Sequence, residues 1–288
     1  RDFLKWSVAA GVSLNIDFDL ANVNTVLAAE TDPPIIWIQG AGCSGCTIST
    51  LNVTNPTTID DVLLNKISMK YNSTIMTASG DLAMQTLDQS ATLYKGQFIL
   101  VIEGAIPTGA SGNYCIVGEV NGVPLTMQQA VLKYGPMAKY VVAAGTCASF
   151  GGVPASGANS TGCQSVKTVL TGKTTNPIVN LSGCPVHPTV LIQSLLDLIL
   201  IGMPAVDANN RPTKYYSTIH SSCPRRGTQT GVPIGSSTGC FRSVGCKGPS
   251  TQNVCPSMKW NNGQAWCIGV NYPCIGCSNP TFPTSPLL

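Results

Sequence analysis

Residues 33–46, PPIIWIQGAGCSGC, place a strand signal directly before a loop rich in glycine and cysteine. The apolar run at 35–38 is short and continuous, which is typical of a strand buried on both faces of a parallel sheet. After the loop, a helix is predicted to begin near Thr47. A strand, a loop and a helix in this order open a β-α-β unit, so the stretch predicts an α/β fold.

Apolar runs and helical periods continue to alternate up to about residue 204. Further strands are predicted in STIMTAS (73–79), QFILVIEGAIP (97–107), AKYVVAAGTC (138–147) and NPIVNLSGCP (176–185). Helices are predicted in TTIDDVLLNKISM (57–69), DLAMQTLDQSATLYK (81–95), TMQQAVLKYGP (126–136) and PTVLIQSLLDLILIGM (188–203). Strands that alternate with helices predict a doubly wound parallel sheet.

Beyond residue 204 the composition changes. Gly, Pro, Ser, Thr and Cys dominate there, and seven of the thirteen cysteines follow this point. A segment with so little apolar periodicity needs something other than a hydrophobic core, and metal or cluster ligation supplies folding free energy. We therefore expect a doubly wound domain over 33–204 and an irregular, cluster-binding domain over 205–288.

Residues 1–32 are predicted to be an export segment. RDFLKWSVAAGVSL (1–14) has a basic start and a modestly apolar stretch, and VNTVLAAE (23–30) offers a cleavage site near Ala28 or Ala29. The start resembles a twin-arginine signal, R-R-x-F-L-K, whose first arginine would precede residue 1. The polar stretch NIDFDLANVNT (15–25) keeps an ordinary amphipathic helix as the alternative.

The composition of the 288 residues excludes some classes of protein. Charged residues make up only 10% of the chain, so part of its surface is expected to lie against a partner. A net charge of +3 without a Lys or Arg block argues against nucleic-acid binding. No run of about 18 apolar residues occurs, so no transmembrane helix is expected. Thirteen cysteines in 288 residues are a lower density than the roughly 8–10% that is typical of a small disulfide-stapled domain.

Three predicted strands end on cysteine loops, and their four cysteines form a first set. The carboxyl ends of parallel strands meet at one edge of a sheet, so these cysteines should converge there. Four thiolates suit a zinc ion or a [4Fe–4S] cluster. Glycines beside them allow close backbone approach and N–H donation to sulfur, which favours a cluster. The cysteines are Cys43, Cys46, Cys147 and Cys184, and the glycines are Gly42, Gly45, Gly145 and Gly183.

Glu103, in VIEG, is predicted at the same edge of the sheet. One hypothesis gives its carboxylate a role in positioning a cofactor neighbour or relaying a proton. The other makes it a strand-end carboxylate that pairs with an arginine or a backbone N–H.

Two further sets lie beyond residue 218. The second set is a mixed N/S₃ group and the third is a Cys₄ group. A Cys₃His zinc site is the alternative for the second set, whereas three cysteine-rich sites in one chain favour electron transfer. The second set is His220, Cys223, Cys240 and Cys246; the third is Cys255, Cys267, Cys274 and Cys277. His187 is expected to be structural, and Cys115 and Cys163 to be small buried residues.

Seven motifs, in this order, resemble the small, electron-transferring subunit of nickel–iron hydrogenases: GAGCSGC, EGAIPT, GTCASFGG, GCPVHP, IHSSCP, GCKGP and PCIGCSNPTF. The resemblance covers about Ile35 to Pro283. It implies a flavodoxin-like domain whose first set holds a proximal [4Fe–4S] cluster. It implies a distal [4Fe–4S] cluster on the second set and a medial cluster on the third. We refer to these groups as the proximal, distal and medial sets.

The resemblance also bears on Cys267. Most family members hold a medial [3Fe–4S] cluster with three cysteines and have proline at the place of Cys267. Members similar to the nickel–iron–selenium subgroup have cysteine there and bind a cubane. The resemblance therefore implies that Cys267 is a fourth ligand and that the chain holds three [4Fe–4S] clusters. A medial [3Fe–4S] cluster is the alternative if Cys267 is not a ligand.

Two other positions distinguish subtypes of the family. Oxygen-tolerant members carry additional cysteines at the places of Gly45 and Gly152, so an ordinary proximal cubane and oxygen sensitivity are expected. Thr47 stands where an acidic residue is usual, as in selenium-type relatives. A proton path through a carboxylate at this place is therefore in doubt.

The resemblance implies the small subunit of a [NiFe] or [NiFeSe] uptake hydrogenase, an oxidoreductase that acts on hydrogen. A large subunit with the nickel–iron centre would oxidise H₂, and this chain would relay single electrons through its three clusters. No catalytic residue is expected in the chain itself. The acceptor, near His220, would be a cytochrome, a ferredoxin-like protein or a membrane subunit. Twin-arginine export would place the complex in the periplasm or on the outer face of the cytoplasmic membrane.

Three alternatives stay open at this point. A cluster-bearing subunit of another redox complex, related to NADH–quinone oxidoreductase, would share the proximal-type fold but lack the two C-terminal ligand sets. A zinc-stabilised binding module would use the same cysteines as structural ligands. A free-standing polyferredoxin-like carrier would have no large subunit.

Overall fold

The computed structural model describes residues 33–283, which contain nine strands and eight α-helices. The strands are β1 (Pro34–Gln39), β2 (Ser68–Asn72), β3 (Ile99–Glu103), β4 (Ile106–Pro107), β5 (Ile116–Val120), β6 (Val123–Thr126), β7 (Tyr140–Ala144), β8 (Cys163–Gln164) and β9 (Ile178–Leu181). The helices are α1 (Gly45–Leu51), α2 (Ile59–Asn65), α3 (Gly80–Leu93), α4 (Met127–Tyr134), α5 (Gly145–Phe150), α6 (Val166–Leu170), α7 (Pro188–Leu200) and α8 (Cys255–Met258).

Five strands form a parallel sheet in the order β2-β1-β3-β7-β9. This is the flavodoxin-like 2-1-3-4-5 order, which confirms the predicted doubly wound fold. The order reverses between β1 and β3, which pair in register from Ile35 with Ile99 to Gln39 with Glu103. Ligands of such sheets bind at the carboxyl ends of the strands near this reversal.

Both faces of the sheet are buried, as the continuous apolar run in β1 predicts. Ile35 and Trp37 pack on one face with α1, α2 and α7, whereas Ile36 and Ile38 pack on the other with α3, α4 and α6. Successive side chains of a strand point to opposite faces, so helix layers on both sides leave no polar position in the strand centre.

Some local predictions were wrong. The second strand was expected at 73–79 and lies at Ser68–Asn72, because the helix predicted over 57–69 ends at Asn65. The antiparallel hairpin of β5 and β6 and the short β4–β8 pair were not predicted. These four strands are two to five residues long, too short for a clear two-residue period.

Residues 205–283 have little regular structure, as predicted. They contain α8 and four short 3₁₀ helices, at Ile219–Ser222, Phe241–Val244, Gly248–Ser250 and Ile268–Val270. Their small core contains three of the predicted ligand cysteines, and its buried members are Ile219, Cys223, Phe241, Cys255, Trp266, Ile268 and Cys274. The domain boundary near residue 204 stays a prediction.

The predicted export segment, 1–32, lies outside the described residues. Within residues 33–283, the helices are all too short or too polar to cross a bilayer.

Candidate iron–sulfur cluster sites

The proximal set comes together at the carboxyl edge of the sheet. Cys43 and Cys46 follow β1, Cys147 lies in α5 directly after β7, and Cys184 follows β9. Burial raises the pKa of Cys46, Cys147 and Cys184. The charge of Glu103 and then of Cys147 and Cys184 adds to the shift at Cys46, and Cys43 adds to the shifts at Cys147 and Cys184. Four cysteines that are distant in sequence therefore meet at one edge of the sheet, where the strand ends predict them.

Glu103 fixes the loop that carries two of these cysteines. Its buried carboxylate accepts hydrogen bonds from the backbone N–H of Cys46 at 2.8 Å and of Thr47 at 3.1 Å. It also accepts from the Thr47 hydroxyl at 2.5 Å and from Trp37 Nε1 at 3.0 Å. Negative charge at the start of α1 is favourable because the first N–H groups of a helix lack partners. The geometry supports the backbone N–H hypothesis for Glu103, and neither Trp37 nor Thr47 was foreseen as its partner.

Glycines leave the room that the proximal sulfurs occupy. A Cβ at Gly145, where φ is +86°, would clash with Cys46 Sγ. A Cβ at Gly152, where φ is +54°, would lie 2.9 Å from Cys147 Sγ. The backbone hydrogen bonds that lower the pKa of Cys46 and Cys147 come from Val186 and Val153 rather than from the predicted glycines.

The medial set is assembled from the last cysteines of the chain. Burial, followed by the charges of Cys267 and neighbouring thiols, raises the pKa of Cys255 to about 11 and of Cys277 to about 12. Cys267 also raises the pKa of Cys274, so its charge reaches all three other members of the set. Trp260 donates a hydrogen bond to Cys255, a contact that sequence analysis did not predict.

The distal set lines a small cavity near the surface. His220, Cys223, Cys240 and Cys246 all face this cavity, with Phe241 closing one side. Burial and then the thiols of Cys246 and Cys240 raise the pKa of Cys223. The structure therefore brings all four members together.

The medial set lies between the other two. The Cys184 backbone donates a hydrogen bond to Cys277, which joins the proximal and medial sets. On the other side, the Lys247 N–H donates to the Cys274 carbonyl at 2.7 Å, directly after Cys246 of the distal set. Thr146 strengthens the first junction, since its hydroxyl donates to the Cys277 carbonyl at 2.5 Å. The twelve predicted ligands thus form a row of three groups.

The remaining histidine and cysteines lie outside these groups. His187 Nε2 hydrogen-bonds the Lys259 carbonyl at 2.6 Å, and its ring packs 4.9 Å from that of Trp260. Burial lowers the pKa of His187, which favours the neutral ring. Cys163 is buried in β8, and the half-buried Cys115 packs against the core of one sheet face. His187 is therefore structural, as expected.

Comparison with known proteins places the chain. Residues 43–198 match the family model of the NADH ubiquinone oxidoreductase, 20 Kd subunit, and residues 215–287 match the C-terminal model of the NiFe/NiFeSe hydrogenase small subunit. The periplasmic [NiFeSe] hydrogenase small subunit of Desulfomicrobium baculatum is 35% identical, over 98% of this chain and 95% of that protein. The chain belongs to the NiFe/NiFeSe hydrogenase small-subunit family.

Other hydrogenase small subunits agree with this assignment. The periplasmic [NiFe] hydrogenase small subunit 1 of Nitratidesulfovibrio vulgaris is 37% identical, over 98% of this chain and 90% of that protein. A solved structure of the recombinant [NiFeSe] hydrogenase from Desulfovibrio vulgaris Hildenborough superposes with a TM-score of 0.84 at 37% identity, covering 90% of this chain and 98% of that one.

These matches also separate the family from one rival. The 20 Kd subunit model ends at residue 198, whereas the hydrogenase relatives cover the medial and distal sets as well. As a hydrogenase small subunit, the chain is part of an oxidoreductase that acts on hydrogen, and a large subunit is implied as its partner.

Proposed function

We propose that this small subunit holds three iron–sulfur clusters in a row and carries electrons singly from the large subunit to an external acceptor. The observation that carries the proposal is the order of the three sets. Thr146, next to Cys147 of the proximal set, donates a hydrogen bond to the Cys277 carbonyl, and Lys247, next to Cys246 of the distal set, donates to the Cys274 carbonyl. Redox groups held in such a row provide one continuous path through the chain.

The donor chemistry of each set fits an iron–sulfur cluster. When bound, such a cluster takes up and releases electrons at a potential that depends on its ligands, hydrogen bonds and burial. The chain's residues supply these influences. The Cys184 N–H and the Trp260 indole donate to medial sulfurs, and buried Phe241 and Ile268 restrict water near the distal set.

The number of ligand sets supports clusters over zinc. Three neighbouring sets of four Cys or His donors in one chain suit an electron relay, whereas a zinc-stabilised module needs only closed four-ligand structural sites. Cys267 is near enough to raise the pKa of Cys255, Cys274 and Cys277, which supports a four-cysteine medial [4Fe–4S] cluster over the [3Fe–4S] alternative.

The two ends of the row are proposed to serve different partners. Cys43 of the proximal set is exposed, and a broad groove beside this set is lined by Gly45, Ile48 and Pro185. We assign this side to the large subunit with the nickel–iron centre, with or without selenium. The acceptor, a cytochrome, a ferredoxin-like protein or a membrane subunit, would dock at the distal end near His220. Twin-arginine export to the periplasm is part of the proposal, supported by the N-terminal motif.

The first test is an iron and sulfide count. The heterodimer would be purified without oxygen and its small subunit analysed for iron and acid-labile sulfide, with EPR spectra of the oxidised sample. Three [4Fe–4S] clusters predict about 12 iron atoms per small subunit and no three-iron signal.

Other outcomes discriminate between the alternatives. About 11 iron atoms and an oxidised three-iron signal would make Cys267 a bystander and the medial cluster [3Fe–4S]. Zinc without iron would contradict the electron relay and favour the structural binding module. Recovery of the loaded chain without a nickel-containing partner would favour the free-standing carrier.

A further inference from the structure

The distal end of the molecule carries positive charge without balancing acids. Residues 215–288 contain five basic side chains and no Asp or Glu. Four of the five lie in the loops that carry the distal set: Arg225, Arg226, Arg242 and Lys247. Within the described part of the chain, the ion pairs involve other residues, so no carboxylate there lies within 4 Å of these four.

Two of these cations are exposed, although Arg226 donates a hydrogen bond to the Ser221 carbonyl at 3.4 Å, and Arg225 is structural. Arg225 donates to the Ser236 carbonyl at 2.8 Å and to Asn271 Oδ1 at 2.5 Å, and its guanidinium stacks 4.7 Å over Phe241. Arg226 and Arg242 are exposed instead. Arg242 borders the cavity of the distal set, so its charge lies at the proposed electron exit.

An apolar patch lies on loops that are hydrogen-bonded to the arginine-bearing loops, through Arg225 to Asn271 at 2.5 Å and through the Gly231 N–H to Ser243 Oγ, next to Arg242, at 2.7 Å. Ile234, Val270 and Tyr272 are 45%, 60% and 42% exposed. Their two loops are joined by the hydrogen bond from the Gly235 N–H to the Asn271 carbonyl at 2.9 Å. The Arg225 clamp on Asn271 links the same loops to Phe241. Apolar side chains beside a charged rim are the usual composition of a protein-binding surface.

We propose that this surface, Arg226 and Arg242 with Ile234, Val270 and Tyr272, docks a redox protein whose own cofactor edge is acidic. The proposal rests on the proposed function, because it uses the distal set as the electron exit. Opposite charge would steer the acceptor to the exit, and the apolar patch would hold it there briefly. Anionic lipid is a poorer match, because membrane-binding segments use clusters of 4–8 basic residues and only two cations here are exposed.

The test uses the loaded heterodimer and two c-type cytochromes, one with an acidic and one with a basic surface around the haem edge. Binding is measured with a surface biosensor, and reduction by H₂ is followed at rising ionic strength. The acidic cytochrome should bind more tightly and be reduced faster, and its rate should fall with salt. The double variant Arg226→Glu/Arg242→Glu should lower its association rate by about 10-fold or more.

The matched control is Lys95→Glu/Lys173→Glu, which makes the same charge change at exposed sites that precede β3 and β9, at the opposite edge of the sheet. It should alter the rate by less than about 2-fold, because screening limits the reach of a charge to about 8 Å at physiological salt.

Three results would overturn the inference. One is equal or stronger binding of the basic cytochrome; another is an unchanged association rate in the double variant. The third is sedimentation with vesicles of anionic lipid that the double variant loses while acidic-cytochrome binding is unaffected. The iron and sulfide count and the EPR spectra test the proposed function separately, and the biosensor measurement tests the docking surface independently of their outcome.

Discussion

A single buried carboxylate organises the proximal loop. Glu103 accepts hydrogen bonds from two backbone N–H groups, one hydroxyl and one indole, so most of its lone pairs are used. No basic side chain donates to it in the described residues. The charge is balanced instead by the start of α1 and by the dipoles of its donors.

The first prediction concerns this carboxylate. In Glu103→Gln, the amide NH₂ would face N–H and O–H donors that need an acceptor. Loss of a hydrogen bond to a charged group costs about 1.5–3 kcal/mol, so the thermal midpoint of the heterodimer and its iron content should both fall. Calorimetry and iron analysis measure the two effects. Glu119→Gln, on exposed β5, is the control and should change neither.

The second prediction concerns Cys267. In Cys267→Ala, the medial set keeps three thiols, so the iron content should fall from about 12 to about 11 atoms per small subunit. An oxidised three-iron EPR signal should appear. Cys163→Ala removes a buried thiol outside the three sets and is the control. Unchanged iron and no new signal in Cys267→Ala would show that Cys267 is not a ligand.

For single residues, the sequence predicts where a side chain lies in the fold better than it predicts the hydrogen-bond partners of that side chain. The proximal cysteines were predictable because parallel strands end at a common edge, whatever the length of chain between them. The partners of Glu103 were not, because Trp37 and Thr47 reach it only through the pairing of β1 with β3. The Trp260 contact to Cys255 likewise depends on tertiary packing.

Among the elements, the strands with continuous buried runs were predictable, including the edge strand β9, and the others were not. β1, β3, β7 and β9 are buried on both faces, so each appears as a continuous apolar run. β2 is an edge strand with a partly exposed start, SMKYN, and its polar residues obscure the pattern. The extent to which a strand is buried therefore determines whether it can be predicted from the sequence.

The buried Arg211 pairs with Asp207 in the segment after α7 and also hydrogen-bonds the medial loop. Asp207 accepts from Arg211 Nε at 2.8 Å and Nη2 at 2.7 Å, and the buried guanidinium lies 4.9 Å over the Tyr216 ring. Arg211 also donates to Gln252 Oε1 at 3.1 Å and to the Ser278 carbonyl, directly after Cys277. The pair thus supports the backbone that carries a medial cysteine.

The third prediction is a pH dependence. Burial alone would raise the pKa of Asp207, but the hydrogen bonds and charge of Arg211 outweigh it and hold the pKa below its usual value. A lowered folded-state pKa gives stability that is present above the unfolded value near 4 and is lost as pH falls through the folded value. Asp207→Asn should therefore cost about 1.5–3 kcal/mol near neutral pH and less in acid.

Thermal unfolding of the heterodimer between pH 7 and pH 3 measures this dependence. Asp60→Asn, at the exposed start of α2, is the control and should have a small effect at every pH. An equal loss of stability for Asp207→Asn at pH 7 and pH 3 would contradict the assigned role of the pair.

At the scale of the whole molecule, two kinds of core meet. The sheet buries two large apolar clusters, one on each face, and Cys46 is the one predicted ligand among their buried members. The third cluster is small, and cysteines are three of its seven buried residues. The division of the chain near residue 204 is a prediction from composition, because apolar periodicity fades where cysteine density rises. The exact path of the C-terminal loops was not predictable, since it follows from ligand positions rather than from a periodic pattern.

The fourth prediction follows from this difference. Removal of iron with a chelator under reducing conditions should unfold residues 215–283 before the sheet, because their short 3₁₀ helices lack an apolar core of sufficient size and ligation supplies folding free energy. Hydrogen–deuterium exchange by mass spectrometry resolves the two parts. Amides of the 3₁₀ helices at Phe241–Val244 and Ile268–Val270 should lose protection at iron levels where those of β3 and α7 keep theirs.

Loss of protection in all four segments together would mean that the clusters stabilise the molecule as one cooperative unit. Retained protection at 241–244 and 268–270 after complete iron loss would show that this part folds on its side-chain packing alone.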